Sequence, residues 1–367
     1  MLIIILNTVL IVSAISGFLA ILLVIADYFF ANYGDCKINI NEKKEIVMKG
    51  GDSLLSSLNQ NKIYLPSACG GRGSCGFCKC VVKEGAGPLL PTEKPFLTKE
   101  EIEKDTRLSC QIKVKTDISI QIPEEIFNIK NFRSKVTKIT DMTYDIKEIR
   151  FELIEPVEIE FKAGQYVQLQ SPKYGKVKQT VSRAYSISSS PDNKKFIELI
   201  IRKVPDGLCT TWVHDYLKKG DIVNFTGPFG DFFIRDTEAD MIFVAGGSGK
   251  APIKSMIEFM EKRQVKRRMG YFFGARNIKE LYYTDYFKEF EKKLPAFQYY
   301  PILSQPTEAC DWDGRCGYVM PFFDEFIQDP ANTEAYLCGS PGMIAAVVKS
   351  LKLKGLDEKN IFFDSFA

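Results

Sequence analysis

The chain has 367 residues, 49 basic against 46 acidic side chains, a single histidine and a net charge of +3, so it is long enough for roughly two to four domains. Balanced charge, with no Lys/Arg stripe set among aromatics, excludes nucleic acid as a partner. The lone His214 excludes most histidine-built catalysis and metal chemistry, and ten cysteines in this length are too dilute for a disulfide scaffold.

The first segment stands apart. Leu2 to Ala26 carries no charge, and its only polar side chains are Asn7, Thr8, Ser13 and Ser16. As a helix it would reach roughly 38 Å, enough to cross a ~30 Å hydrocarbon core with some tilt. A signal peptide would show a basic start and a shorter apolar run. The expectation is a single transmembrane anchor with its tether over residues 1–34. Lys37, Lys43 and Lys44 follow the helix and nothing basic precedes it, which places the remaining domains on the cytoplasmic side of the inner (plasma) membrane.

The next segment, CKININEKKEIVMKGGDSLLSSLNQ, reads as a hairpin followed by a helix. KCVVKEG and DISIQIP read as further strands, so residues 35–128 form a small β-rich domain. Inside it, SACGGRGSCGFCKC (67–80) concentrates four cysteines and four glycines. Cys69, Cys75 and Cys78 have the spacing C-x5-C-x2-C, and Cys110 follows after 31 residues. A zinc ribbon usually shows two C-x2-C knuckles, and a disulfide framework conflicts with a cytoplasmic setting. Three thiolates in a Gly-rich loop with one remote thiolate suit a [2Fe–2S] cluster, the glycines letting the backbone wrap it closely. Cys80 reads as a packed thiol, not a fifth ligand.

Over residues 129–235 the texture changes to spaced strands (RSKVTKIT, YDIKEIRFEL, QYVQLQ, AYSISSS, KFIELIIRKV, DIVNFTGPFG), which predicts an antiparallel β-barrel. Arg183, Tyr185 and Ser186 end one of these strands. A cation, an aromatic face and a hydroxyl suit a flavin: Arg183 for the pyrophosphate, Tyr185 against the isoalloxazine and Ser186 near N5. By itself R-x-Y-S is equally an ordinary strand end. Gly207, with Thr210 and Thr211, opens a helical segment whose N-terminus suits a phosphate group.

Over residues 236–367 strands alternate with helices, which predicts an α/β domain with a parallel sheet covered on both faces. Gly246, Gly247, Gly249, Lys250 and Pro252 follow the strand MIFVA. A nucleotide P-loop is rejected, because Val244 stands where its first glycine belongs and Ala251 where Ser or Thr belongs. A Gly-rich turn with Pro252 near a helix start better suits a dinucleotide pyrophosphate. Cys338 and Gly339 end a later strand at the carboxyl edge, where ligands bind in such sheets; Cys338 reads equally as a buried thiol. Phe366 could cover a flavin ring or simply be buried by a C-terminal strand. Cys36, Cys209, Cys310 and Cys316 carry no clear chemistry.

In that order these features resemble the F subunit of the Na+-translocating NADH:quinone reductase, and the stretches PSACGGRGSCGFCKC, RAYS, TGPFGDFF, FGARN, DWDGRCGY and IFFDSFA resemble it closely. The resemblance covers essentially the whole chain. It implies a multidomain protein: a transmembrane helix, a β-grasp ferredoxin domain, and a ferredoxin–NADP reductase-like pair of FAD and NADH domains. Cys69, Cys75, Cys78 and Cys110 would be the cluster ligands. Arg183, Tyr185, Ser186 and the Gly207 segment would hold FAD; Gly246 to Pro252, Gly274 and Arg276 of FGARN, and Cys338–Gly339 would hold NADH. Ser186, Cys338 and Phe366 would act at the flavin. The implied activity passes hydride from NADH to FAD, then single electrons through the cluster to other membrane subunits of an ion-pumping complex and finally to a quinone. One departure stands out: the segment between Gln165 and Arg183 is short where many members carry a long insertion, which bears on the partner surfaces. The alternative function is the reductase component of an oxygenase, which shares the modules but usually has C-x4-C-x2-C spacing and no anchor.

Overall fold

The computed structural model describes residues 2–30, 33–306 and 312–366, the side chains of residues 2–5, 23 and 25–30 excepted. Its contacts divide the chain into two units, Met1–Asn128 and Ile129–Ala367.

The first unit begins with helix α1 (Leu2–Phe30), which has no acidic residue in its first turn and no basic residue in its last. Val9, Ile11, Ile15 and Phe18 are all more than half exposed. Among the described residues no helix is long and apolar enough to cross a membrane, so the transmembrane span expected over Leu2–Ala26 goes beyond what the described part of α1 shows. After it come β1 (Asp35–Ile40), β2 (Lys44–Lys49), α2 (Leu54–Gln60), β3 (Lys79–Glu84), α3 (Lys99–Glu103), β4 (Thr106–Leu108) and β5 (Ile118–Gln121). The five strands form one mixed sheet in the order β2-β1-β5-β3-β4, with β1 and β5 parallel and the other pairs antiparallel. The hairpin turns at Asn41 and Glu42, and Ser53 caps α2 by accepting from the Ser56 backbone N–H. Leu54, Leu55 and Leu58 of α2 bury against the sheet as its apolar spacing requires.

The second unit starts with a six-stranded antiparallel sheet of β6 (Lys130–Asp141), β7 (Ile146–Glu155), β8 (Tyr166–Ser171), β9 (Val181–Ser186), β10 (Phe196–Arg202) and β11 (Ile222–Phe229), in the order β10-β7-β6-β11-β8-β9. Helix α4 (Leu208–Asp215) lies between β10 and β11 in sequence. The two edges meet just past β9, where Ile187 bridges Leu199 and the Ser188 N–H donates to the Glu198 carbonyl at 2.8 Å. The sheet thus curls into a barrel with a short seam, filled by Phe132, Phe151, Val167, Leu199 and Phe225.

A parallel sheet completes the unit: β12 (Asp240–Gly246), α5 (Lys250–Lys262), β13 (Met269–Ala275), α6 (Thr284–Lys293), β14 (Phe297–Leu303), β15 (Arg315–Cys316), β16 (Thr333–Gly339), α7 (Pro341–Leu353) and β17 (Ile361–Ser365). The strand order is β15-β14-β13-β12-β16-β17, all parallel. Strand alternation sends Met241 and Phe243 toward α5 and α6, and Ile242 and Val244 toward α7. Between β15 and β16 the segment VMPFFDEFI makes a short 3-10 turn, Met320–Glu325. Phe323 and Phe326 bury there, so the turn covers its face of the sheet without a full helix.

Lys254 of α5 fastens this sheet to the barrel. Its buried Nζ lies 2.9 Å from Glu258, 3.1 Å from Glu198 and 3.7 Å from Glu148, so one ammonium binds a helix to two barrel strands. Ser255 adds a 2.7 Å bond to the Ser189 carbonyl. A buried cation holding carboxylates from three elements locks the cleft between the layers, because loss of any partner leaves an uncompensated charge.

Candidate functional site

The cysteine loop brings its sulfurs together in pairs. Cys75 donates to Cys69 across 3.3 Å. That bond brings the Cys69 thiol down to about 4, while the bond shared with Cys78 brings Cys110 to about 7. Their partners Cys75 and Cys78 are pushed up, first by the same bonds and then by burial. Among the described residues no group of three or more His, Cys, Asp or Glu converges closely enough to hold a single metal ion. The four cysteines thus approach one another as two pairs, a grouping that suits a centre of two irons with two thiolates apiece. Gly73 is required in this loop: its φ is +75°, and a methyl group there would lie 2.2 Å from the Gln111 amide nitrogen. The Ser67 hydroxyl accepts from the Gly71 N–H at 2.9 Å and ties the loop's entry. The remote ligand strand is braced by Arg107, buried against Glu93 at 2.6 Å and bonded to the Gly87 and Pro88 carbonyls. Cys80 is buried in β3, and burial pushes its thiol up to about 12.

At the barrel, Arg183, Tyr185 and Ser186 lie on β9, the strand at the seam. The Arg183 guanidinium donates to the Ser182 carbonyl at 2.7 Å, and Tyr185 shares a hydrogen bond with the Cys209 thiol at the start of α4. Gly207 caps α4, and a methyl group there would lie 2.5 Å from the Thr210 hydroxyl. That hydroxyl accepts from the Val204 N–H at 3.2 Å and donates within the same turn. Thr210 therefore shapes the helix N-terminus, while Thr211 is half-buried beside it. His214 is a packing residue whose Nε2 lies 3.1 Å from the Ile201 carbonyl.

The glycine turn follows β12. Gly247 has φ +56°, and a methyl group at Gly249 would lie 2.2 Å from the Cys338 carbonyl oxygen, so β16 and the turn approach as only glycine allows. Pro252 is buried in the first turn of α5. Lys250 does not face the turn. It is fully buried, donates to the Tyr282 carbonyl at 2.7 Å and sits 3.6 Å from the centre of the Phe273 ring. Burial drives its amine well below the ordinary range. Tyr282 in turn donates its hydroxyl to the Gly247 carbonyl at 2.8 Å, so lysine and tyrosine hold the turn from behind.

Barrel and parallel sheet meet at the C-terminal strand. Ser186 donates to Asp364 across 3.3 Å, and Asp364 is the register partner of Cys338. Burial, and then the charge of Asp231, raise the Asp364 carboxyl from 3.8 to about 6 despite the Ser186 bond. The Cys338 side chain is fully buried, and burial together with Asp364 keeps it a thiol. The Phe366 N–H donates to the Gly339 carbonyl at 2.9 Å, pinning a half-buried ring at the end of the same strands. Ser186, Cys338 and Phe366, far apart in sequence, are thus brought to one edge. Gly274 lies near the end of β13 and Arg276 directly after it, next to the glycine turn: Gly246 and Gly274 are register partners.

Family models match along the same divisions. Residues 38–115 match the 2Fe-2S iron-sulfur cluster binding domain, 133–234 the oxidoreductase FAD-binding domain, and 243–349 the oxidoreductase NAD-binding domain. The F subunit of the Na(+)-translocating NADH-quinone reductase of Neisseria gonorrhoeae is 35% identical over 388 residues, covering 95% of this chain and 96% of its own. That of Pseudomonas aeruginosa is 36% identical over 394 residues, with 96% of each covered. The chain belongs to the family of these F subunits. It is an NADH-oxidising flavoprotein with FAD and a [2Fe–2S] cluster, one subunit of a membrane complex. The layout also matches solved structures: the Amycolatopsis cytochrome P450 reductase GcoB (TM-score 0.73, 27% identity, 90% of this chain and 98% of that one) and the ferredoxin reductase of carbazole 1,9a-dioxygenase (TM-score 0.70, 24%, 91% and 99%).

Three residues of the site escape a reading of the sequence. Asp364 sits in the tail IFFDSFA, but only the β16–β17 register and the barrel seam put it between Ser186 and Cys338. Arg202 of β10, paired with Asp145 at 2.7 Å, brings its guanidinium to within 3.3 Å of where a Gly247 side chain would begin, a cation beside the turn. Glu280 bonds Arg276. Cys310 lies outside the described residues, and Cys316 is exposed.

Proposed function

We propose that this chain is the electron-input subunit of a membrane-bound, Na+-translocating NADH:quinone reductase, anchored by α1 as a single-pass helix with its catalytic domains in the cytoplasm. The names of the curated relatives support the ion and the acceptor. FAD, when bound, supplies the conversion of a two-electron hydride into single electrons. The chain's own residues orient it. Arg183, Tyr185 and the Gly207–Thr211 helix start hold the flavin, and Ser186 and Asp364 hold a proton at its reactive edge. Gly246, Gly247, Gly249 and Pro252 admit the pyrophosphate of NADH with Arg202 beside them. Gly274, Arg276, Cys338 and Gly339 line its two ends, and Phe366 shields the flavin until the nicotinamide arrives. Cys69 with Cys75, and Cys78 with Cys110, ligate the two irons. The observation that carries this reading is the Ser186–Asp364–Cys338 edge, where a barrel strand meets the carboxyl ends of two parallel strands.

The test is purification from detergent-solubilised membranes. The expected outcome is a multisubunit complex whose NADH:quinone activity requires Na+, and in which this chain, once isolated, takes up three electrons, two at FAD and one at the cluster. A second reading, the reductase component of an oxygenase, is favoured by the shared layout of GcoB and the carbazole dioxygenase reductase. Copurification with an oxygenase, and no membrane partner, would replace the first reading by the second.

A further inference from the structure

On the reading just given, the dinucleotide has a direction. Its nicotinamide end belongs at Cys338 and Asp364, on β16 and β17, where the barrel's Ser186 arrives. Its pyrophosphate belongs at the turn after β12. The remaining half, the adenosine, then extends over the strand on the far side of β12, and that strand is β13. In parallel sheets the ribose next to the adenine meets residues just past the carboxyl end of such a strand, which is where an acid accepts a 2′-hydroxyl or a cation receives a 2′-phosphate. Here that residue is Arg276, directly after Ala275.

Arg276 is a cation, yet two of its three guanidinium nitrogens, Nε and Nη2, are engaged. Its Nε donates to Glu280 Oε1 at 2.7 Å and its backbone N–H to Glu280 Oε2 at 3.1 Å. Its Nη2 donates to the Tyr144 hydroxyl at 3.0 Å, and Tyr144 donates to Glu280 Oε1 at 3.1 Å. The guanidinium is half exposed while the Glu280 side chain is only 13% exposed, so the carboxylate is the fixed partner of the two. The bonds from Arg276, added to the one from Tyr144, hold the Glu280 carboxyl below the ordinary range even though burial raises it. Lys279, the other cation of this turn, is exposed and solvated, a point charge without the fork that grips a phosphate.

We propose that Glu280 makes this chain select NADH over NADPH by occupying Arg276, so that a 2′-phosphate meets a filled ion pair and a carboxylate where it needs a free guanidinium. A phosphate carries close to two negative charges and must either displace Glu280 or sit beside it, and both penalise NADPH. NADH carries only a hydroxyl there and meets no such opposition. Tyr144, from the β6–β7 turn of the barrel, keeps the pair in place.

The experiment uses the full chain with FAD and cluster bound, and compares wild type, Glu280→Gln, and Glu280→Gln combined with Arg276→Ala. Glu280→Gln keeps the shape and removes the charge. It is expected to raise kcat/KM for NADPH at least tenfold, mainly through KM, and with it the NADPH/NADH ratio of kcat/KM at least tenfold. Isothermal titration supplies a readout independent of turnover: adenosine 2′,5′-bisphosphate should bind at least tenfold tighter to Glu280→Gln, with 5′-AMP unchanged within threefold. The double variant should lose both gains, because the cation that receives the phosphate is gone. An unchanged NADPH/NADH ratio in a fully flavinated Glu280→Gln protein would overturn the proposal, as would a gain that survives loss of Arg276. If wild-type flavin is reduced by neither nucleotide, the oxidoreductase reading falls as well; if NADH reduces it and the variants do not respond, only the role of Glu280 falls.

Discussion

Replacing Asp364 by asparagine isolates a carboxyl that the fold holds against its own solvation, between Ser186 of β9 and Cys338 of β16. The carboxyl stands at about 6 where an unfolded chain would have it near 3.8, because it is buried between Ser186, Cys338 and Asp231. The sign follows from linkage. An acid whose folded value is raised binds its proton more tightly in the folded state, so its contribution to stability is greatest below about pH 4. That contribution declines as pH rises through the interval from 3.8 to about 6, and is constant above it. A shift of roughly two units corresponds to about 3 kcal/mol of destabilisation at neutral pH. An asparagine at this position has no charge to desolvate, and its carboxamide oxygen can still accept from Ser186. For a unit of this size each kcal/mol moves the melting temperature by about 2–4 °C. Asp364→Asn should therefore melt roughly 6–12 °C higher than wild type at pH 8, with the difference vanishing by pH 4. Differential scanning calorimetry of the FAD-bound protein across that range is the assay. A gain of equal size at both ends of the pH range, or none at pH 8, would refute the argument that burial of this carboxylate opposes folding. The kinetic counterpart is flavin reduction by NADH in stopped flow. An ionised Asp364 can only accept from the Ser186 hydroxyl, whereas a protonated Asp364 can donate its own O–H to Ser186 Oγ and release the Ser186 proton to turn elsewhere. The rate should rise as pH falls through about 6 in wild type and stay flat in the variant.

The remaining tests address other parts of the chain. Cys75→Ala should abolish the EPR signal of the reduced cluster and leave FAD content unchanged; in wild type, stoichiometric zinc without labile sulfide would rule the cluster ligation out. Phe366→Ala should bind NADH roughly 2–10-fold tighter, since uncovering an aromatic face changes stacking by about 0.5–1.5 kcal/mol, and an unaltered nicotinamide affinity in equilibrium titration would return Phe366 to the status of a packed tail. Removing residues 1–33 should give a protein that leaves the membrane fraction and still reduces ferricyanide with NADH; loss of FAD on truncation would make α1 part of the fold rather than an anchor.

What a sequence discloses here depends on how far apart the cooperating atoms lie along the chain. Cys69, Cys75 and Cys78 are legible because one Gly-rich loop carries all three, and the Arg183–Ser186 and Gly246–Pro252 stretches are legible for the same local reason. Alternation and turn spacing likewise convey a β-rich first domain, the antiparallel strands and the parallel sheet, but not that the first sheet is mixed. Apolar spacing alone does not say that at VMPFFDEFI a short turn with two buried phenylalanines, Phe323 and Phe326, covers the sheet. Asp364 is invisible since its meaning is a register, Cys338 against Asp364, and a seam, Ser186 against both.

Lys250 carries the lesson furthest. In the string GGSGKAP a lysine after the glycines suggests a phosphate ligand, and only the flanking Val244 and Ala251 argue otherwise. The fold gives the physical reason. The helix that starts at Lys250 directs its side chain back under the turn, into a pocket walled by Phe273, Tyr282 and Phe287. There the amine is desolvated and has the Tyr282 carbonyl and the Tyr299 hydroxyl as its partners. Burial holds this amine well below its ordinary range, and its side chain lies behind the turn rather than at the face a dinucleotide would meet. The same residue that looks like a ligand in the sequence thus acts from behind the site. It holds Tyr282, and Tyr282 holds Gly247, so that the glycine turn keeps the open shape the dinucleotide needs.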